Sequence, residues 1–147
     1  MTHKQFKKLI QELVNPLGFA VFWGSRSLYN AHVKQVDEKM LIIEPFVLPF
    51  QYAGKCYFDT RVTFWVGMRR LMFEPEEITE GRDAEFMDVI HTECRAILEA
   101  ISTSQQVLIS EPLDKIEPIY YEADETATVN QQSFITFSMD LRIWSSQ

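Results

Sequence analysis

The sequence predicts an α+β fold, an antiparallel β-sheet of four to five strands with two amphipathic helices packed on one face. Two pairs of stretches predict it. Lys55 to Arg69, KCYFDTRVTFWVGMR, and Ser133 to Trp144, SFITFSMDLRIW, alternate with period two, as strands with one buried and one wet face do. Thr2 to Val14 and Ala84 to Ser102 instead repeat their apolar residues at helical spacing. At 147 residues the chain is long enough for one domain with one good core, and 46% hydrophobic and 13% aromatic content argue against disorder.

In chain order, Thr2 with Gln5 three residues on is a capping-box pattern. Phe6, Leu9, Ile10 and Leu13 then face a core, with Lys4, Lys7, Lys8, Gln11 and Glu12 toward solvent, until Asn15-Pro16 stops the helix. Phe19 to Trp23 reads as a short strand, Gly24 to Ser27 as a turn and Ser25 to Lys39 as a loop. Met40 to Glu44 reads as a buried strand without alternation. Pro45 and Pro49 bracket an apolar run that continues to Phe50 and Tyr52. Each proline lacks a ladder donor, so residues 45–54 are either an edge segment folded back on the core or an arm projecting to a partner.

The long strand from Lys55 places Cys56, Phe58, Thr60, Val62, Phe64, Val66 and Met68 on one face. At roughly 45 Å it is about twice an ordinary strand, so part of it is expected to serve something outside its own core. Asp83 is placed to cap the second helix, whose apolar stripe is Phe86, Val89, Ile90, Cys94, Ile97, Leu98 and Ile101. Cys56 and Cys94 both fall on apolar faces, where they read as reduced thiols that meet in the core. Val107 to Ser110 and Ile116 to Glu122 are short strands at edges or bends, and Ala123 to Gln132 is a polar loop. The closing strand carries Asp140 and Arg142 as the long strand carries Asp59 and Arg61. The two strands are therefore expected to pair antiparallel, with Asp59 and Arg61 near Arg142 and Asp140. Arg61, Thr63, Trp65, Thr136, Ser138 and Arg142 would lie on a free outer face.

The net charge of −7 divides unevenly. Residues 1–70 hold ten Lys/Arg against five Asp/Glu, and residues 71–147 hold four against sixteen. Acidity disfavours a DNA-gripping role, which needs a basic patch. No apolar stretch approaches a membrane span, and Gln11 and Glu12 interrupt any signal core, so a cytoplasmic chain is expected.

Chemistry-bearing patterns are missing. The sequence has no GxSxG, HExxH or GxxxxGK[ST] motif, and five glycines are too few to conceal a nucleotide-cradling loop. The cluster Glu74, Glu76, Glu77, Glu80 and Asp83 lacks the spacing of a calcium loop. His91 with Glu93 and Cys94 does not read as a zinc site, because positions two apart on a helix point in different directions and no second ligand motif follows. No catalytic, cofactor-binding or metal-ligating residue is therefore assigned, and the chain is not read as an enzyme. Two readings remain open. One is a small cytoplasmic binding module using the free sheet face, with Trp65, Trp144, Arg61 and Arg142 toward an anionic ligand. The other is a self-assembling structural protein.

For the second reading, the order of elements resembles that of the tail-terminator or tail-completion proteins of tailed bacteriophages. The elements concerned are a short helix at Thr2 to Val14, a brief strand and glycine turn at Phe19 to Ser25, and an extended hairpin over Met40 to Arg69. An amphipathic helix at Ala84 to Ser102 and the closing strand SFITFSMDLRIW follow. The resemblance covers nearly the whole chain as element order, and the proline-bracketed segment Pro45 to Gly54 departs from the compact turn of that family. It implies a virion protein that forms a homo-oligomeric ring of six or twelve copies at the head–tail junction, joining portal or adaptor to tail around the DNA channel. A ring subunit meets its neighbour through two different surfaces, which a chain with a basic half and an acidic half suits. Candidate contact residues are Phe46, Leu48, Phe50, Tyr52, Arg61, Trp65, Arg69, Arg70, Arg142 and Trp144, reaching the neighbour by edge pairing or anchor insertion. Glu76, Glu77, Glu80, Asp124 and Glu125 are the candidate acids of a lumen that would repel the DNA backbone.

Overall fold

The computed structural model describes residues 1–24, 39–48, 56–69, 80–121 and 132–144. The fold is α+β and comprises, among the described residues, helices α1 (His3–Val14) and α2 (Glu80–Ser102) and six strands. The strands are β1 (Phe19–Trp23), β2 (Lys39–Ile43), β3 (Tyr57–Arg69), β4 (Val107–Ile109), β5 (Ile119–Tyr121) and β6 (Gln132–Trp144). They form one sheet in the order β1-β2-β3-β6-β4, with β5 also beside β6.

The sheet is mixed rather than wholly antiparallel, because β1 runs parallel to β2. A parallel pair needs a crossover of a dozen residues or more, and residues 24–38 supply that length between the two strands. The turn expected at Gly24 to Ser27 and the loop expected over Ser25 to Lys39 fall, but for Gly24 and Lys39, outside the described residues. β4 and β5 lie along the same side of β6, facing Ile143 to Leu141 and Thr136 to Phe134 respectively, so together they make one interrupted edge strand.

β3 and β6 pair antiparallel over thirteen positions, from Tyr57 opposite Trp144 to Arg69 opposite Gln132. The expected charge pairing is present, with Asp59 opposite Arg142 and Arg61 opposite Asp140. The Glu44 N–H donates to the Thr63 carbonyl and the Ser110 N–H to the Asp140 carbonyl. The backbone groups of Thr63 and Asp140 thus point away from the β3–β6 seam. By alternation, every outward-facing pair of the seam, from Tyr57/Trp144 to Trp65/Thr136, sits at a non-hydrogen-bonded position, where Cα atoms approach to about 4.5 Å and side chains meet most closely.

The inward face carries the core. Phe58, Val62, Phe64 and Val66 of β3 and Ile135, Phe137, Met139, Leu141 and Ile143 of β6 are buried against Phe6, Ile10 and Val14 of α1 and Ile90, Cys94, Ile97, Leu98 and Ile101 of α2. The domain therefore covers most of the inner face of its long strands itself, while Cys56 just before β3 is exposed. A helix of 23 residues spans about 35 Å, which matches the buried part of the ribbon.

α1 has the expected capping box, the Thr2 hydroxyl accepting from the Gln5 N–H and the Gln5 side chain accepting from the Thr2 N–H. Gly18 follows the short turn Asn15–Leu17 at φ 84°, a conformation glycine adopts without strain, and so aims the chain into β1. α2 begins at Glu80, so Asp83 lies inside its first turn instead of capping it. Among the described residues, no helix is long and apolar enough to cross a membrane.

Because Thr63 and Ser138 occupy a non-hydrogen-bonded pair, the double variant Thr63→Cys, Ser138→Cys should form a disulfide on mild oxidation with the native circular-dichroism spectrum retained. Two thiols still titratable after oxidation of the folded variant would contradict this register.

Candidate interaction face

The outer face of the sheet has two zones. Over Tyr57–Thr63 and Ser138–Trp144 it is a zipper of paired polar and aromatic groups. Arg142 Nε donates to Asp59 Oδ1 at 2.9 Å, and the guanidinium lies 4.1 Å from the centre of the Tyr57 ring. The Tyr57 and Trp144 rings are 6.2 Å apart. Arg61 Nη1 donates to Asp140 Oδ1 at 3.1 Å, with both side chains more than half exposed. The Thr63 and Ser138 hydroxyls share a hydrogen bond of 2.7 Å. The Asp59 hydrogen bond is the largest influence on the Arg142 guanidinium and raises its pKa, so the charge is fixed across the accessible pH range.

The second zone is apolar. Register places Phe22, Ile42, Trp65, Thr136 and Ile119 in one row across β1, β2, β3, β6 and β5. Met40 and Ile42 are buried here with Phe22 and Trp65 half-buried beside them, and Thr136 is buried with its hydroxyl donating to the Phe64 carbonyl at 3.0 Å. The face expected to be free is therefore free only in part. β2 is apolar on both sides, and a strand so composed is covered on both. Exposed apolar side chains lie at its β4 and β5 margin, Leu108 at 49% and Ile119 at 54%.

The sequence-predicted contact residues separate into groups. Arg61, Trp65, Arg142 and Trp144 share the outer face. Phe46 lies elsewhere, its ring 5.2 Å from Phe6 and 5.3 Å from Trp23, while the His3 Nε2–H donates to its carbonyl at 2.8 Å. Leu48 also packs against the core, and Val47 between them is 85% exposed. At residues 45–48, then, the proline-bracketed segment follows the folded-back alternative, because alternate side chains dock on the α1 side. Phe50, Tyr52, Arg70, Glu76, Glu77, Asp124 and Glu125 lie outside the described residues. Arg69 ends β3 and Glu80 begins α2.

Gln11, read from the sequence as solvent-facing, and Glu111, assigned no role there, have structural tasks. Gln11 is half-buried instead of solvated. Its amide donates to the Phe19 carbonyl at 3.2 Å and accepts from the Val21 N–H at 3.1 Å, as a neighbouring strand would. Glu111, between β4 and β5, accepts from the Asp140 N–H at 3.0 Å. A polar helical residue gives no sequence signal of such a role. Leu108 and Tyr57 were legible, since each follows the alternation of its strand.

No metal or acid–base site is assembled at the histidine of α2. His91 is exposed, Glu93 is turned to Lys39 Nζ at 3.1 Å, and Cys94 is buried. Among the described residues, no three His, Cys, Asp or Glu side chains are grouped to hold a metal ion. Nor do the thiols meet, because Cys56 lies beyond the end of β3 and is exposed. Compared with protein-family models and with curated proteins, the chain finds no match.

Burial, followed by the Glu93 carboxylate, pushes the Cys94 thiol from 9.0 up to about 12. Between those values only the unfolded chain ionises, so the Cys94 contribution is intact below about pH 9 and is lost as pH rises toward 12. Urea unfolding from pH 8 to 11 should show a steeper loss of stability in the parent than in Cys94→Ala. Equal slopes would contradict the buried neutral thiol.

Proposed function

We propose that the chain is a virion structural protein, a subunit of a ring at the head–tail junction of a tailed bacteriophage, where it joins portal or adaptor to tail around the DNA channel. The observation that carries this reading is the ribbon at the centre of the fold. A capped helix and a brief strand come first, β2 leads to β3, a long amphipathic helix follows, and β6 returns to pair with β3 over its full length. That is the element order of the tail-terminator and tail-completion proteins the sequence resembles. The subunit would be assembled in the host cytoplasm and carried in the virion.

The arrangement of the outer face supports a scaffold in preference to an enzyme or a receptor for an anion. Its four charged groups answer one another, Arg142 to Asp59 and Arg61 to Asp140, and do not converge on a space that a substrate would enter. An anionic ligand would have to displace a carboxylate from each arginine, which weakens the binding-module alternative. With Gln11 occupying backbone groups of β1, neighbour contacts in the ring would be made by side chains and by the segments beyond the sheet.

Light scattering on the purified protein, alone and mixed with the products of neighbouring genes, tests the proposal. A ring of six or twelve copies is expected in at least one condition, and charge reversal at Arg69 and Arg70 should weaken it. A monomer in both conditions would overturn the ring and leave the binding module.

A further inference from the structure

We propose that the zipper zone of the outer face is a self-association surface whose occupant is a second copy of this chain, packed face to face about a two-fold axis. This goes beyond the ring, whose subunits meet head to tail.

The charge pattern is what selects a second copy. Along β3 the order is Asp59 then Arg61, and along β6, directly opposite, it is Arg142 then Asp140. A two-fold axis lying in the interface, parallel to the strands and midway between β3 and β6, lays the β3 of one copy over the β6 of the other. Asp59 then falls on Arg142 and Arg61 on Asp140, so each charge meets an opposite charge of the other copy. The same operation sets Tyr57 over Trp144, two aromatic groups of the kind enriched at interface centres. Leu108, 49% exposed and in register with Arg142, adds an apolar flank on both sides. Packing of two sheets with strands nearly aligned is an established arrangement.

The fold also turns strand addition aside at two places where another copy could otherwise pair. Gln11 holds the Phe19 carbonyl and the Val21 N–H of β1. On the opposite margin, Glu111 holds the Asp140 N–H between β4 and β5, and Pro112 and Pro118 of that connection have no N–H to donate. In the zipper zone, Asp59, Arg61 and Asp140 keep about three-fifths of their side-chain surface exposed.

The zone is small, roughly 20 Å along the strands, and covers less than the ~800 Å² per partner of a standard interface. Association should therefore depend on concentration and, being electrostatic, on salt.

Sedimentation equilibrium from micromolar to millimolar protein is the test, with three samples. The parent should approach twice the monomer mass at low salt and fall back toward it at about 500 mM salt. Asp59→Lys with Asp140→Lys makes the face wholly basic, and Arg61→Glu with Arg142→Glu makes it wholly acidic. Each should stay monomeric alone, and the two mixed should reach twice the monomer mass. If the parent forms a ring through other surfaces, each face variant should halve any double ring and leave a single ring intact. A parent monomeric at every concentration, or variants that assemble as the parent does, would overturn the proposal. Should either variant fail to fold, concentration-dependent amide shifts of the parent decide, and shifts outside β3, β6 and β4 would equally overturn it.

Discussion

The register between β3 and β6 is the constraint on which the rest of the molecule depends. Side chains alternate along both strands, so a slip of β6 by one residue would carry Met139 and Leu141 to the outer face and bring Asp140 and Arg142 into the core. Burying unpaired charge there would cost far more than any local contact returns. The outward pairs reinforce the same choice. Asp59/Arg142, Arg61/Asp140 and Thr63/Ser138 are complementary in this register, and each sits where the strands bring side chains closest. Individually such exposed pairs contribute little. Their worth lies in making the alternatives worse.

The remaining elements attach to this ribbon. α2 packs on the inner side through Ile90, Cys94, Ile97, Leu98 and Ile101 and is tied to β2 through Lys39 and Glu93, with Lys39 also lying 4.9 Å from the Phe19 ring. α1 closes the other end of the core with Phe6, Ile10 and Val14, and the same helix supplies Gln11 to β1. The interrupted edge of β4 and β5 completes β6 without offering a continuous edge to a neighbour. Such protection is common where a sheet must avoid indiscriminate pairing. A sheet built in this way offers side chains more than bare strand edges for contact, which is what the proposed ring would require.

Much of the fold was legible because its strongest signals are local and periodic. The capping box at Thr2, the bounds of β1, the stripe of α2 and the pairing of Asp59 with Arg142 all follow from spacing in the chain. What could not be read depends on contacts remote in sequence. The parallel pairing of β1 with β2 is a contact between strands fifteen residues apart (24–38), whose direction no spacing encodes. Gln11 looks like any polar helical residue until β1 is beside it. Cys56 alternates correctly with Phe58 yet falls past the end of the core, so its period gave the face and not the depth. The outer face was half legible. Its polar residues were identified, but the burial of Ile42 and Thr136 required the row across five strands.

The claim that the β3–β6 ribbon is the organising element is tested most directly by native-state hydrogen exchange. Amides that bridge the two strands near Val62, Phe64, Phe137, Met139 and Leu141 should exchange last, with opening free energies equal to that of global unfolding. Protection that persists longer in α2 or β1 than in the ribbon would contradict the account and place the organising contact elsewhere.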